Sequence, residues 1–246
     1  MNGILNVCKP RGISSFKALS IVKARLAKEL GIPSRRLKVG HLGTLDPAAC
    51  GVLVLLCGKA TKLADKLHGS TKVYRSMFTF GLETDTLDNE GEVVTRSEVI
   101  PTKKQIQSVL GGLLGEVEIE IPKFSAVHID GKRAYDLARQ GIDFVAPKRV
   151  VNVKRFELLG MDDCMRDLER ISESSVADDG KSFYFEIECQ TGTYIRSLAK
   201  LMAQKLGTVA IASLIIRTKV GQFEIGDTKG VEEINLGDLI SIKEVN

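Results

Sequence analysis

The stretch of residues 38–58, KVGHLGTLDPAACGVLVLLCG, limits the fold more than any other part of this chain. Residues 52–56 form a continuous apolar run between Gly51 and Gly58, which predicts a strand buried on both faces. Leu37 and Val39 lie on the other side of a tight connection built from Gly40, Gly43, Pro47 and Gly51. That connection carries His41, Thr44 and Asp46. Because Asp46 precedes Pro47, its backbone is driven towards an extended conformation, and its carboxylate cannot sit inside a helix. A carboxylate on a rigid turn beside a buried strand is well placed for chemistry. The plainer reading, that Asp-Pro merely starts a turn, stays open on this pattern alone.

Around that centre the chain alternates between strand and helix patterns. A short apolar strand at 3–7 runs into the turn Lys9-Pro10-Arg11-Gly12, and Ser14 or Ser15 can cap the next helix. Phe16, Leu19, Val22, Leu26 and Leu30 recur at helical spacing and predict one buried stripe. Residues 59–67 read as a short helix, and 72–80 as a strand with Tyr74, Ser76, Phe78 and Phe80 on one face. A polar loop, Glu83 to Asp88, closes at Gly91; its spacing is not that of a calcium loop, and it reads as a device that positions neighbours by hydrogen bonds. Helical patterns follow at 103–114, 135–140 and 194–206, and strand patterns at 117–121, 149–159, 183–189 and 209–216. The alternation changes phase near Lys154-Arg155, the mark of a bulge. Residues 161–180 hold many acids with almost no apolar periodicity and read as a solvated insertion without a site. Repeats and linkers are absent from the pattern, so one compact α+β domain over 1–246 is expected.

Charge narrows the class of partner. Residues 1–75 carry 14 Lys/Arg against Glu29, Asp46 and Asp65, a net of +11, so the remainder sums to −7. A basic half gathered around the central stretch suggests a polyanion, although solvated lysine faces are common. No apolar run reaches the length of a membrane span, and the first residues lack the pattern of an export signal. Five cysteines without a Cys-x-x-Cys pair make disulfides and zinc improbable and fit a reducing cytoplasm.

The polar residues exclude several chemistries. His41, His68 and His128 lie far apart without acidic companions at ligand spacing, so no metal centre is expected. No phosphate-cradling glycine loop follows a strand. A Cys50/His41 nucleophile pair is conceivable, but a thiol at the start of an apolar strand is more often inert. Arg196, in the first turn of its helix, opposes the helix dipole and therefore requires an anionic partner.

Several motifs together resemble the TruB family, bacterial tRNA pseudouridine-55 synthases. GHLGTLDPAACGVL resembles the active-site motif, with Asp46 on the catalytic aspartate, and Lys9-Pro10-Arg11-Gly12 resembles the N-terminal signature. Lys72-Val73-Tyr74-Arg75 falls on the strand bearing the active-site tyrosine, and Thr84 to Asp88 on the polar loop after it. Gly131-Lys132, Tyr135 and Ala138-Arg139-Gln140-Gly141 resemble the insertion that grips the T-arm. Gly192-Thr193-Tyr194-Ile195-Arg196 falls on the arginine motif, and Leu214-Ile215-Ile216-Arg217 on the closing strand. The likeness covers about residues 3–225.

The resemblance implies a pseudouridine synthase fold, with a mixed, mainly antiparallel central sheet flanked by helices and an RNA-gripping insertion at about 121–149. It implies that uridine 55 of tRNA is flipped out and isomerised. Asp46 would be the nucleophile, at the base or at the sugar; Tyr74 and Ile215 would stack on the uracil, Tyr74 being also a candidate for the later proton abstraction. Arg196 would pair with Asp46. Lys9, His41, Thr44, Lys132 and Arg139 would contact the RNA. A monomer without an obligate protein partner, needing no cofactor and no metal, is the corresponding expectation. The sequence departs from the family at Ile121-Pro122-Lys123 and at His128. It also ends at Asn246, where many relatives continue into a PUA-type RNA-binding domain. A non-catalytic RNA-binding module on the same fold is the competing reading.

Overall fold

The computed structural model describes residues 1–170 and 180–244. The first strand, β1 (Gly3–Lys9), leads into helix α1 (Ser15–Glu29), whose first turn is closed by the Ser14 hydroxyl accepting from the Lys17 amide. Two strands bracket the central connection, β2 (Val39–His41) and β3 (Cys50–Cys57), and every residue of β3 is buried. Helix α2 (Ala64–His68) and strand β4 (Lys72–Phe80) follow. Next come a two-stranded ribbon, β5 (Leu82–Thr84) with β6 (Val93–Arg96), and helix α3 (Lys103–Leu110), which begins with a capping box from Thr102 and Gln105. Strand β7 (Gly115–Glu120) precedes the small hairpin β8 (His128–Ile129) and β9 (Lys132–Arg133), then helix α4 (Ala134–Arg139). The rest is β10 (Lys148–Leu159), α5 (Met161–Arg170), β11 (Ser182–Cys189), α6 (Ile195–Lys205), β12 (Ala210–Val220), β13 (Phe223–Glu224) and β14 (Lys229–Gly230).

The chain divides into two compact units, residues 1–74 with 216–246, and residues 75–215. In the first, strands run in the order β14-β1-β3-β12, with β2 also on β3 and β13 on β12. β1 lies antiparallel to β3, whereas β3 and β12 are parallel, with Cys50 opposite Ile216 and Gly51 opposite Arg217. Helix α1 covers this sheet through Ala18, Leu19, Val22, Leu26 and Ala27, packed on Leu5, Val7, Leu53 and Leu55. Fully burying such aliphatic side chains is worth roughly 1.5–3 kcal/mol each. The stripe is shorter than its sequence pattern. Phe16 is 73% exposed and Leu30, at the C-cap, 37%, so only the middle turns are buried.

In the second unit the order is β12-β4-β11-β10-β7. The pairs β10–β11 and β10–β7 are antiparallel, and the register of β10 slips between Val153 and Arg155, where the alternation breaks in the sequence. Its core is aromatic: Phe78 lies 4.9 Å from Phe185 and meets Phe156 edge-on at 6.1 Å between ring centroids. A mixed sheet with flanking helices is the α+β class that the sequence predicts. One correction falls in the acidic stretch at 161–180, where residues 161–170 form α5 with Cys164 fully buried. Asp162 and Asp163 favour the positive end of that helix, and the Asp163 carboxylate accepts from the Gly160 amide at 3.3 Å. The remaining residues of that expectation, 171–179, lie outside the described ones.

Candidate active site

The loop between β2 and β3 is held residue by residue. The Leu42 amide donates to the Val54 carbonyl at 2.8 Å. Arg217 donates to the carbonyls of Gly43 (3.1 Å) and Thr44 (3.4 Å). Ser15 both accepts from the Leu45 amide (2.8 Å) and donates to its carbonyl (2.9 Å). The Asp46 carbonyl accepts from Ala49 at 3.1 Å, closing the turn after the Asp-Pro step. The Pro47 carbonyl takes the Gly12 amide at 2.9 Å, and the Ala48 carbonyl takes Arg11 Nε at 3.2 Å. Every residue from 42 to 48 thus has an anchored backbone group. Asp46 itself is half-buried and Thr44 exposed. A carboxylate on so constrained a backbone is directed by the fold, the arrangement expected of a reacting group.

Two buried cations lie under this loop. Lys9 is fully buried, and its ammonium donates to the carbonyls of Pro10 (2.8 Å), Ile13 (2.7 Å) and Pro47 (3.4 Å). The sequence reading puts Lys9 among the RNA contacts; its burial instead makes it a tie between the N-terminal turn and the loop. Arg217, 1% exposed, donates to Val52 O at 2.8 Å besides Gly43 and Thr44. Moving an ion out of water costs several kcal/mol, and hydrogen bonds to a charged group return about 1.5–3 kcal/mol each. Three convergent carbonyls therefore make each burial tolerable. The sequence pattern ends the apolar strand at Ile216 and gives Arg217 no role of its own; the strand in fact continues to Val220, and a guanidinium directly after Leu214-Ile215-Ile216 was the signal.

His41 ends β2 with its Nδ1 buried and without a partner among the described residues. Burial first, and the nearby Arg217 charge second, hold its pKa below the ordinary 6.5. The unfolded chain therefore binds a proton at His41 more readily than the folded one. Stability contributed here is present above pH 6.5 and falls as the pH drops from there to the folded pKa. Denaturant unfolding followed from about pH 7 to 5 should show this slope, and His41→Asn should flatten it. Cys50, the alternative nucleophile, is 1% exposed and closed to substrate; at the far end of the same strand, burial pushes the Cys57 thiol up to about 11.

Tyr74, 7% exposed, closes the first unit's part of β4. The other expected residues belong to the second unit. Ile215 is 6% exposed on β12. Arg196, in the first turn of α6, is 3% exposed. No side chain caps this helix; Thr193 donates instead to the Gln190 carbonyl, and Tyr194 is the N-cap residue. The Arg196 guanidinium donates to the carbonyls of Thr86 (2.7 Å) and Phe124 (3.1 Å), and its Nε lies 3.8 Å from the Asp88 carboxylate. Asp88 is itself fixed, accepting from the Thr86 hydroxyl at 2.6 Å and the Glu90 amide at 3.0 Å. The polar loop thus positions its neighbours by hydrogen bonds, as its sequence suggests. Asp88, buried at 3% exposure, is the functional candidate that the sequence reading left unassigned. Lys132 and Arg139 are exposed, and Tyr135 lies between the guanidinium carbons of Arg133 (5.9 Å) and Arg139 (5.6 Å), measured to its ring centroid.

Residues 32–195 match the N-terminal domain of the TruB family pseudouridylate synthases. The tRNA pseudouridine synthase B of Borrelia garinii subsp. bavariensis is 38% identical over 245 residues, which cover 100% of this chain and 79% of that protein. The enzyme of that name from Geobacillus thermodenitrificans is 37% identical over 236 residues, 95% of this chain and 72% of that one. Among solved structures, a chain of a Cbf5-Nop10-Gar1 complex superposes with a TM-score of 0.61 at 26% identity. It matches over 96% of this chain, which spans 52% of the length of that one. The order of the motifs, the anchored Asp46 loop and near-complete alignment at 38% identity lead to one assignment: the chain belongs to the TruB family of pseudouridylate synthases.

Proposed function

We propose that this chain isomerises uridine to pseudouridine at position 55 in the T-loop of tRNA, with Asp46 as the nucleophile. The observation that carries this reading is the anchored backbone of residues 42–48, which aims one carboxylate from a basic half of the chain. In the reaction the C1′–N1 bond breaks, the uracil turns, C1′ bonds to C5, and the C5 proton moves to N1. Atoms and electrons balance within the substrate, so no oxidant, reductant or second substrate enters. A base must leave its stack first, at a cost of a few kcal/mol, which phosphate contacts from the basic residues offset. The family resemblance that assigns Asp46 as nucleophile also assigns Tyr74 and Ile215 to stacking on the uracil and Arg196 to the reaction. The enzyme works as a monomer in the cytoplasm. An unmodified tRNA transcript incubated with the protein and no added metal should yield pseudouridine at position 55, and no product would remove the reading.

The cluster of exposed Arg133 and Arg139 around the half-buried Tyr135 supports an RNA-gripping role for residues 121–149. Tyr135→Ala and Arg139→Ala should each weaken tRNA binding about three- to tenfold. Only Arg139→Ala should also lower the salt dependence, by roughly one unit of slope. Filter binding across a salt series checks both.

A further inference from the structure

Arg217 is the largest of the fully buried side chains among the described residues. It stands on β12 opposite Gly51 of β3, in parallel register. Gly51 has φ +99°, and a Cβ there would collide with the Arg217 carbonyl, so the two strands approach at a distance that only glycine permits. This brings the guanidinium beneath the loop, where its fork spans three carbonyls: Val52 on the strand, and Gly43 and Thr44 on the loop. No carboxylate pairs with it among the described residues, so its partners are backbone dipoles alone. An apolar side chain would fill the same space at less cost in desolvation. What it could not do is fix two loop carbonyls against a strand carbonyl with one planar donor set.

We propose that Arg217 is a positioning residue for the reaction: its fork sets the loop geometry that aims Asp46, and its charge, bonded to the Gly43 carbonyl, lies two residues along the chain from His41 and its buried Nδ1 at the end of β2. The first half rests on the reading of Asp46 as nucleophile; the second does not. Asp46 follows Thr44 by two residues, with Leu45 clamped by Ser15 between them, so a displaced Thr44 carbonyl is passed on to the carboxylate.

Arg217→Lys and Arg217→Met separate the fork from the charge. The readouts are the single-turnover rate on unmodified tRNA, the tRNA dissociation constant, and the NMR titration of the His41 imidazole, assigned with His41→Asn. Arg217→Met should slow turnover about a hundredfold, as a misaimed reacting group does. Its tRNA affinity should stay within about threefold, and its His41 titration should move to higher pH. Arg217→Lys keeps the charge without the fork, so turnover should fall about tenfold while His41 titrates as in the wild type. Folded Arg217→Met with a wild-type rate, or with an unmoved His41 titration, overturns the proposal. If Arg217→Met does not fold, Arg217→Lys decides: a wild-type rate overturns the role of the fork, and the tenfold loss upholds it. If the wild type makes no pseudouridine, the functional reading fails, and the His41 titration still tests where Arg217 acts.

Discussion

Asp46→Asn is expected to abolish pseudouridine formation while leaving tRNA binding intact. Asparagine has the same shape and cannot attack carbon as a carboxylate does, so the single-turnover rate should fall by roughly 10⁴-fold or more, about 5.4 kcal/mol of transition-state stabilisation. The backbone of residues 42–48 is anchored by groups other than the Asp46 side chain, so the loop should survive the change. Affinity should hold or rise. The substitution removes one of only three negative charges from residues 1–75, which face a polyanion with 14 cations. Asp46→Glu tests direction instead of charge. It moves the carboxylate out by one methylene on a backbone that cannot yield, and a misplacement of about 1 Å costs on the order of a hundredfold. Appreciable turnover in Asp46→Asn would end the assignment of Asp46; turnover lost together with tRNA binding would place it in recognition.

The competing reading of a binding module that does no chemistry fails on the same comparison if the wild type turns over and Asp46→Asn only binds. What distinguished the two from sequence was motif order, and the local pattern around Asp-Pro was ambiguous by itself. Periodicity found the buried strand β3, the aromatic face of β4 and the bulge in β10, because each rests on alternation that a single strand reveals. It missed what depends on distant partners. Lys9 looks like a surface cation beside a turn, and only the carbonyls of Ile13 and Pro47 make it a buried tie. Asp88 reads as one more acid in a polar loop until α6 brings Arg196 to it. The ribbon β5–β6 has no counterpart in the sequence pattern: β5 overlaps the polar loop, and β6 is wholly exposed and has no inward face for a pattern to mark. Helix α5 was hidden for a different reason: Met161, Cys164, Met165 and Leu168 recur at helical spacing, but the charged residues crowded between them mask the pattern.

Gly51→Ala should be strongly destabilising to the first unit. At φ +99° an L-residue is strained, by roughly 1–2 kcal/mol on steric grounds alone. The added Cβ would also overlap the Arg217 carbonyl oxygen and sit 3.0 Å from that residue's carbonyl carbon and amide nitrogen. Those atoms belong to the backbone of β12, so no rotamer change relieves them; the strands must part. Overpacking of this kind adds about 1–3 kcal/mol, giving a total of roughly 2–5 kcal/mol, a large share of the stability of a typical domain. The damage should also be directional. Parting β3 from β12 lifts Arg217 away from Val52, Gly43 and Thr44, so the carboxylate is misaimed even in molecules that remain folded. Gly43→Ala is the control: its φ of +86° carries similar strain, but its Cβ meets only side-chain atoms of Lys72 and Arg217, at 3.4 and 3.6 Å, which is ordinary van der Waals contact. Urea unfolding should therefore rank Gly51→Ala well below Gly43→Ala in stability. The folded fraction of Gly51→Ala should in addition turn over more slowly per molecule than that of Gly43→Ala; equal stability of the two would show that the close approach of β3 and β12 is not what requires glycine.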